Sequence, residues 1–225
     1  MMKSRSIFDQ KGVTLIELLV VLVIGAVLTG GIYRLFVAQT RAYTMQDQVV
    51  EVQQSIRGAM EVMLKDLRMT GFDSDAITSK IAIVNPIIVG DHSVTVSYEY
   101  DDTTQYTVVY QRDAATSTLT RQLTTTKDDG TTVAGPQEVI LMNVDALNFA
   151  YGLDANGDGA MDDRDGDGVI DENDWVPAAT VGTTKVVALR VTLTARAPEV
   201  NPDLVVTSPR TLVTAITLRN QCLSR

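Results

Sequence analysis

The sequence predicts an α+β fold in which one long N-terminal helix packs on an antiparallel β-sheet. Residues 13 to 33 form an apolar run with a single charge, and residues 34 to 70 continue with apolar side chains at three- and four-residue steps. That spacing is the period of an amphipathic helix. After Gly71 apolar and polar residues alternate, which is typical of strands with one buried face. Strands grouped after one helix predict a sheet with that helix on one face.

Composition and charge exclude several classes of protein. The chain has 225 residues, 28 of them acidic and 19 basic, so its net charge is -9. Because an acidic chain repels a phosphate backbone, we expect no nucleic acid partner. The single cysteine, Cys222, excludes an intrachain disulfide scaffold and a cysteine-rich zinc site. The sequence has no P-loop, H-E-x-x-H or G-x-S-x-G motif, so we expect no enzymatic activity.

The first element is a short basic leader, residues 1 to 12, followed by the apolar run at 13 to 33. A helix of that length, at about 1.5 Å per residue, spans the roughly 30 Å of a bilayer core. Lysine and arginine lie before the run and do not recur until Arg34. This asymmetry predicts a single-pass protein with a cytoplasmic N-terminus and an extracytoplasmic C-terminal domain.

Glu17 is the one charge inside the apolar run. A carboxylate near the middle of a bilayer costs a few kcal/mol unless it lies near the interface or has a partner. The sequence therefore predicts either an interfacial carboxylate or one that pairs with a positive group.

The segment KGVTLIEL at residues 11 to 18 resembles the prepilin signature of type IV pilins and type II secretion pseudopilins. The resemblance implies cleavage between Gly12 and Val13 by a prepilin peptidase and N-methylation of Val13, although phenylalanine is usual at that position. It implies that Glu17 acts in assembly by pairing with the N-terminal amine of its own or a neighbouring subunit. It also implies packing against other major and minor pilins through the N-terminal helix. The location implied is the inner membrane before assembly and the pilus at the cell surface afterwards.

The second half of the helix is amphipathic. Its apolar stripe consists of Ala42, Met45, Val49, Val52, Ile56, Ala59 and Met63, which predicts a helix to about Met69. Thr70 and Gly71 then supply a stop signal. Glycines at 25, 30 and 31 weaken the first half. They mark either a place where the helix stretches or melts in a filament or one where it packs closely against neighbours.

The remainder, residues 71 to 225, is predicted to be a β-rich globular domain. The clearest strands are 94–100 and 187–195, and further candidates are 81–89, 104–112, 117–124, 137–142, 144–151 and 210–218. Because Pro86 has no N–H to donate, the candidate at 81–89 is expected to be an edge strand or to contain a bulge.

An acidic segment at residues 154 to 174 interrupts the strands. It holds nine carboxylates and Arg164, a charge of -8, which leaves only -1 for the rest of the chain. Two overlapping stretches carry oxygen donors at positions 1, 3, 5, 7, 9 and 12 of a calcium loop, with glycine at position 6. The first set is Asp154, Asn156, Asp158, the backbone of Ala160, Asp162 and Asp165, and the second is Asp163, Asp165, Asp167, the backbone of Val169, Asp171 and Asp174.

This pattern predicts calcium as the cofactor, as one or two ions, because the two sets share Asp165. Position 12 is aspartate rather than the glutamate of an EF-hand, so the loops are more similar to those of dockerin or thrombospondin repeats. The expected role is structural, and a switch that couples calcium to assembly or adhesion is the alternative. A solvated acidic loop without metal is the remaining interpretation.

The segment EVMLKDLRMTGF, residues 61 to 72, resembles the end of the long helix in PilW-type minor pilins and in the related minor pseudopilin J. The two resemblances imply a pilin-like fold and a minor type IV pilin that takes part in pilus assembly and its initiation. Two alternatives remain open from the sequence. One is a minor pseudopilin of type II secretion, and the other is a membrane-anchored calcium-dependent adhesin.

Overall fold

The computed structural model describes residues 12–74, 81–197 and 209–223. The predicted basic leader, apart from Gly12, lies outside the described residues. The chain divides into two units, Met1–Gln46 and Asp47–Arg225. The element order is one long helix followed by antiparallel strands, which confirms the α+β fold class.

The first unit contains the N-terminal part of helix α1, whose full extent is Leu15–Met69. Within the described residues α1 alone is long and apolar enough to cross a membrane, and its most apolar stretch is fully exposed. The helix is continuous through Gly25, Gly30 and Gly31. The Thr29 hydroxyl donates a hydrogen bond to the carbonyl of Gly25 at 2.7 Å. Both alternatives for these glycines concern the filament and stay predictions.

In the second unit α1 buries one face against the β-strands. The buried residues are Val52, Ile56, Ala59, Met60, Met63, Asp66 and Leu67. The predicted apolar stripe is therefore confirmed from Val52 onward. Ala42 and Met45 also lie in the helix, as predicted, but their side chains are exposed.

Helix α1 ends where the sequence predicts. Its last residue is Met69, and Gly71 follows in the left-handed region with φ of +68°. A β-carbon at Gly71 would be strained at this φ and would lie 3.1 Å from the β-carbon of Pro86, and the Gln221 side chain would have to move away. Glycine is therefore favoured at this turn.

Eight strands form two antiparallel sheets. The first sheet has the order β1-β2-β3-β4-β5 and the second has the order β6-β7-β8. The strands are β1 Ile87–Val89, β2 Ser93–Asp101, β3 Thr104–Asp113, β4 Thr118–Lys127, β5 Thr132–Leu141, β6 Val144–Asp154, β7 Lys185–Ala195 and β8 Arg210–Thr217. A short 3-10 helix at Glu172–Asp174 and two single-turn helices, α2 at Ala178–Val181 and α3 at Arg219–Cys222, complete the second unit.

Two sheets, rather than the single predicted sheet, form because the chain turns sharply between β5 and β6. Asn143 has a positive φ of +55°. The next residue, Val144, donates its N–H to the carbonyl of Ser117 at 2.8 Å, outside both ladders. Strand β6 then pairs with β7 and not with β5. Alternation along each strand predicts its buried face but carries no information about this change of partner.

The predicted strand at 81–89 is wrong for most of its length. Only Ile87–Val89 is a strand, and it lies at the edge of the first sheet, directly after Pro86. The edge position follows from proline, which has no N–H to donate to a ladder. The core of the unit joins the helix to both sheets. Its largest fully buried side chains include Ile56, Met63, Leu67, Tyr110, Leu119, Leu147, Tyr151, Leu189 and Leu193.

Candidate functional site

The N-terminal candidate segment begins directly before α1. Gly12 and Val13 are exposed and precede the first helical residue, Leu15. Thr14 and Glu17 form a reciprocal capping pair: the Thr14 N–H and hydroxyl both donate to Oε2 of Glu17, at 2.9 and 2.8 Å. The Glu17 N–H donates in turn to the Thr14 hydroxyl at 3.3 Å. This arrangement is the capping box of a helix N-terminus.

The capping box gives Glu17 a local role that the sequence argument missed. The spacing T-x-x-E at residues 14 to 17 is the signal that could have revealed it. The carboxylate satisfies the N–H of Thr14, one of the backbone donors that a helix start leaves unpaired. The Glu17 carboxylate therefore contacts Thr14, the residue that immediately follows Val13.

The acidic segment folds as two successive turns with the same hydrogen-bond pattern. In the first turn Asp154 accepts the N–H groups of Gly157, Asp158 and Gly159 at 2.6 to 3.1 Å. In the second turn, nine residues later, Asp163 accepts those of Gly166 and Gly168 at 2.7 and 2.6 Å. The position 1 aspartate of each predicted loop thus organises the backbone that follows it.

Glycine is needed at equivalent places in both turns. Gly159 and Gly168, at position 6, have φ of +84° and +85°. Glycines at position 4, residues 157 and 166, also have positive φ, at +80° and +76°. The sequence repeats the pattern D-x-[D/N]-G-D-G-x-x-D from residues 154 and 163. The glycine at position 4 is part of this repeat, but the prediction used only the glycine at position 6.

The second turn gathers three of its predicted ligands. Carboxylate oxygens of Asp163, Asp165 and Asp174, at positions 1, 3 and 12, all lie within 4.8 Å of one another. Asp174 is fully buried and accepts the N–H groups of Arg164 and Asp171 at 2.6 and 2.8 Å. Those two backbone bonds lower the pKa of Asp174 below its ordinary value.

The same crowding acts in the opposite direction on Asp165. The N–H of Asp167 lowers the pKa of Asp165, but burial and the negative charges of Asp167 and Asp174 outweigh it. The pKa of Asp165 is therefore raised above its ordinary value. Like charges at this separation repel each other, and a divalent cation would remove that repulsion.

The other predicted ligands do not join this cluster in the described structure. Asp162 accepts the N–H of Ala155, and Asp158 accepts the N–H of Ala160. Asn156 donates its amide to Asp158 at 3.1 Å. The remaining predicted ligands of the second set also hold local backbone bonds: Asp167 accepts the N–H of Val169, and Asp171 caps the 3-10 helix by accepting that of Asn173. Asp165 lies with the second set rather than completing the first.

The first turn packs on the C-terminal helix α3. A β-carbon at Gly159 would lie 2.2 Å from the carbonyl oxygen of Cys222, so the two backbones are in close contact. Two residues earlier in α3, the amide of Asn220 lies 3.3 to 3.5 Å from the carbonyl oxygens of Arg68, Met69 and Thr70. One short helix therefore contacts both the acidic segment and the end of α1.

A buried polar cluster fastens α1 to the first sheet, and sequence reasoning did not find it. Asp66, on α1, accepts hydrogen bonds from Tyr98 at 3.0 Å and from Tyr110 at 2.5 Å. Nε of Arg121 donates to the same carboxylate at 2.9 Å. We call Asp66, Tyr98, Tyr110 and Arg121 the Asp66 cluster.

The Asp66 carboxylate shifts the pKa of each of the three side chains that bind it. Burial, together with the Asp66 carboxylate, raises the pKa of Tyr98 and of Tyr110 above the ordinary value. Burial lowers the pKa of Arg121, but its hydrogen bond and ion pair with Asp66 outweigh that effect and raise the pKa overall. Both tyrosines therefore stay neutral donors and Arg121 stays charged across the physiological range.

Two family models match the chain. The prokaryotic N-terminal methylation motif matches residues 7–33, and type IV pilus-assembly protein W matches residues 105–217, from β3 to the end of β8. No curated protein and no solved structure shows significant similarity.

The second of these families is described as a pilus-assembly protein. The methylation motif and the apolar helix fit a membrane-anchored, single-pass pilin. The second match covers half of the chain. The chain therefore belongs to the type IV pilus-assembly protein W family, and its role lies in pilus assembly.

Proposed function

We propose that this chain is a minor type IV pilin that helps to initiate pilus assembly. The observation that carries the proposal is the prepilin signature at the start of an exposed apolar helix, on a chain whose sheet region matches a pilus-assembly family. An apolar helix whose side chains are exposed among the described residues needs a lipid bilayer or other helices around it. The inner membrane would supply the bilayer before assembly, and neighbouring pilins would supply the helices in the pilus.

Processing would create the group that Glu17 is expected to bind. Cleavage by prepilin peptidase between Gly12 and Val13 would leave a methylated amine on Val13, one residue before Thr14. The Glu17 carboxylate already accepts the N–H of Thr14, so it lies near the position where that amine forms. In an apolar surrounding an ion pair between them would be strong, and it would penalise a wrong helix register.

N-terminal mass spectrometry of the chain from cells with and without prepilin peptidase tests the processing step. We expect a methylated N-terminus at Val13 only when the peptidase is present. An intact leader in both strains would contradict the proposal and would favour an anchored adhesin.

Two substitutions separate the charge of Glu17 from its capping bond. Glu17→Gln retains a side-chain acceptor for the Thr14 N–H and removes the charge, whereas Glu17→Ala removes both. If charge pairing drives assembly, both variants are cleaved normally and both are depleted from purified pili. Normal incorporation of Glu17→Gln, with loss only in Glu17→Ala, would assign Glu17 to helix capping alone.

We further propose that the acidic segment holds calcium. Asp163, Asp165 and Asp174 would supply the central oxygens, with Asp167, Asp171 and the Val169 carbonyl completing the second set. The first set would use Asp154, Asn156, Asp158, Asp162 and the Ala160 carbonyl. Hard oxygen donors on a flexible backbone suit calcium better than magnesium, which demands stricter octahedral geometry. Bound calcium would neutralise the gathered carboxylates and order the segment between β6 and β7.

The only tryptophan, Trp175, directly follows Asp174 and provides a signal for calcium binding. Calcium added to the full chain in detergent is expected to change Trp175 fluorescence and to raise the thermal unfolding midpoint. Asp174→Asn should lose both responses, while Asp129→Asn, in the exposed turn between β4 and β5, should keep them. A wild-type chain without either response at millimolar calcium would refute the site.

A further inference from the structure

A small cavity lies between α1 and the beginning of β8, both in the second unit. Its volume is about 130 Å³, and its lining is Gln53, Ile56, Arg57, Arg210, Thr211 and Leu212. Two arginines therefore line one small space, and Gln53 stands one helical turn before Arg57 on the same face of α1.

The two arginines have no negative partner in the described part of the chain. Its four salt bridges involve Arg121, Arg190 and Arg196, but neither Arg57 nor Arg210. Nε of Arg210 is buried, and it has no hydrogen-bond partner among the described residues. A buried guanidinium N–H without an acceptor is unfavourable, and the exposed Arg57 adds a second positive charge at the same cavity. The cavity therefore has the chemistry of an anion site.

The walls of the cavity indicate which kind of anion fits. Ile56 is 2% exposed, and Leu212 packs against the hydrophobic core. Guanidinium groups present parallel N–H donors that match a carboxylate. Apolar walls beside such donors suit a carboxylate carried on a methylene stem better than a small inorganic anion, which would leave the walls without contact.

We propose that this cavity receives an aspartate or glutamate side chain of a neighbouring pilus subunit. The proposal rests on the assembly role given above and adds a specific contact outside the N-terminal helix. Burial of the carboxylate between Arg57 and Arg210 would satisfy the free Nε and would fix the orientation of the two subunits relative to each other. Such a contact contributes to the choice of partner as well as to affinity.

Lysine substitutions convert the site into a cross-linking probe. A carbodiimide joins a lysine amine to a carboxylate only when the two are in direct contact, with loss of water and no spacer. Arg210→Lys and Arg57→Lys, each in the full chain, keep the positive charge and add the reactive amine. Arg219→Lys is the matched control, because Arg219 is exposed and lies outside the cavity.

Purified pili that carry each variant are treated with carbodiimide, digested and analysed by mass spectrometry. We expect the lysine introduced at position 210 or 57 to be joined to an aspartate or glutamate of another subunit, with this adduct absent from Arg219→Lys pili. Incorporation into pili without any such adduct from either variant, or adducts only to acidic residues of the same chain, would overturn the proposal. If the wild-type chain is itself absent from pili, the proposed function fails first, so the two failures are distinguishable.

Discussion

Removing the Asp66 carboxylate is expected to be among the most destabilising single changes in the second unit. Asp66→Ala deletes one ion pair and two phenol hydrogen bonds at once. It leaves the Arg121 guanidinium, whose side chain is 18% exposed, without its nearest counter-charge. Glu138 is the only other carboxylate paired with Arg121 in the described residues, and it lies 3.8 Å away on an exposed side chain.

The loss of stability in Asp66→Ala depends on the polar groups that the substitution leaves without a partner. Breaking a buried ion pair by deleting one partner costs about 3–5 kcal/mol, because the other charge stays buried. Arg121 is partly exposed, which lowers this value, whereas the two orphaned tyrosine hydroxyls raise it by about 1 kcal/mol each. We therefore expect Asp66→Ala to lower the free energy of unfolding by about 3–5 kcal/mol.

Urea unfolding of the full chain in detergent, followed by Trp175 fluorescence, measures this loss. Glu61→Ala, an exposed carboxylate on the same helix, is the control and should change the free energy by less than about 0.5 kcal/mol. Adding Arg121→Met to Asp66→Ala should recover part of the loss, since no charge then remains buried. A double variant no more stable than Asp66→Ala would refute the view that the unpaired guanidinium carries the cost.

Two further predictions concern Tyr151 and Gly159. Burial of the hydroxyl and the negative charge of Asp91 raise the pKa of Tyr151 to about 12, and they outweigh the Gly90 N–H, whose hydrogen bond to the hydroxyl oxygen lowers it. The fold favours the neutral phenol, so this contribution to stability is complete below the ordinary pKa of about 10 and is lost as pH rises through about 12. The free energy of unfolding is measured by urea titration at several pH values between about 10 and 12. It should fall less steeply with pH in Tyr151→Phe than in the wild type. Equal slopes would contradict a raised pKa at Tyr151. Gly159→Ala should cost about 2–3 kcal/mol, because its β-carbon would meet the Cys222 carbonyl. Gly157→Ala has the same positive φ but open space, so it should cost only about 1 kcal/mol. Equal urea midpoints for the two alanine variants would show that the contact with α3 does not constrain the first turn.

Sequence reasoning succeeded where the determinants are local. The apolar period of α1 and the stop at Thr70 and Gly71 depend on neighbouring residues, and the structure confirms both. The Asp66 cluster could not be found in this way, because Arg121 lies 55 residues from Asp66 and the strands alone decide that they meet. The change of sheet at Asn143 was missed for the same reason, since strand alternation does not specify a partner.

The two repeats of the acidic segment illustrate the same boundary between local and tertiary information. By spacing alone the two repeats are equivalent, because Asp165 fits position 12 of the first and position 3 of the second. In the fold, Asp154 is almost fully buried at the end of β6, its oxygens accept three backbone N–H groups, and its turn is fixed against Cys222. The second turn has open space around Gly166 and Gly168, and it is there that Asp163, Asp165 and Asp174 crowd together. Uncompensated repulsion is greatest where like charges gather, so a cation lowers the free energy most at the second repeat. If the segment holds only one calcium ion, the second repeat is therefore the expected position, with Asp165 serving it as the position 3 ligand.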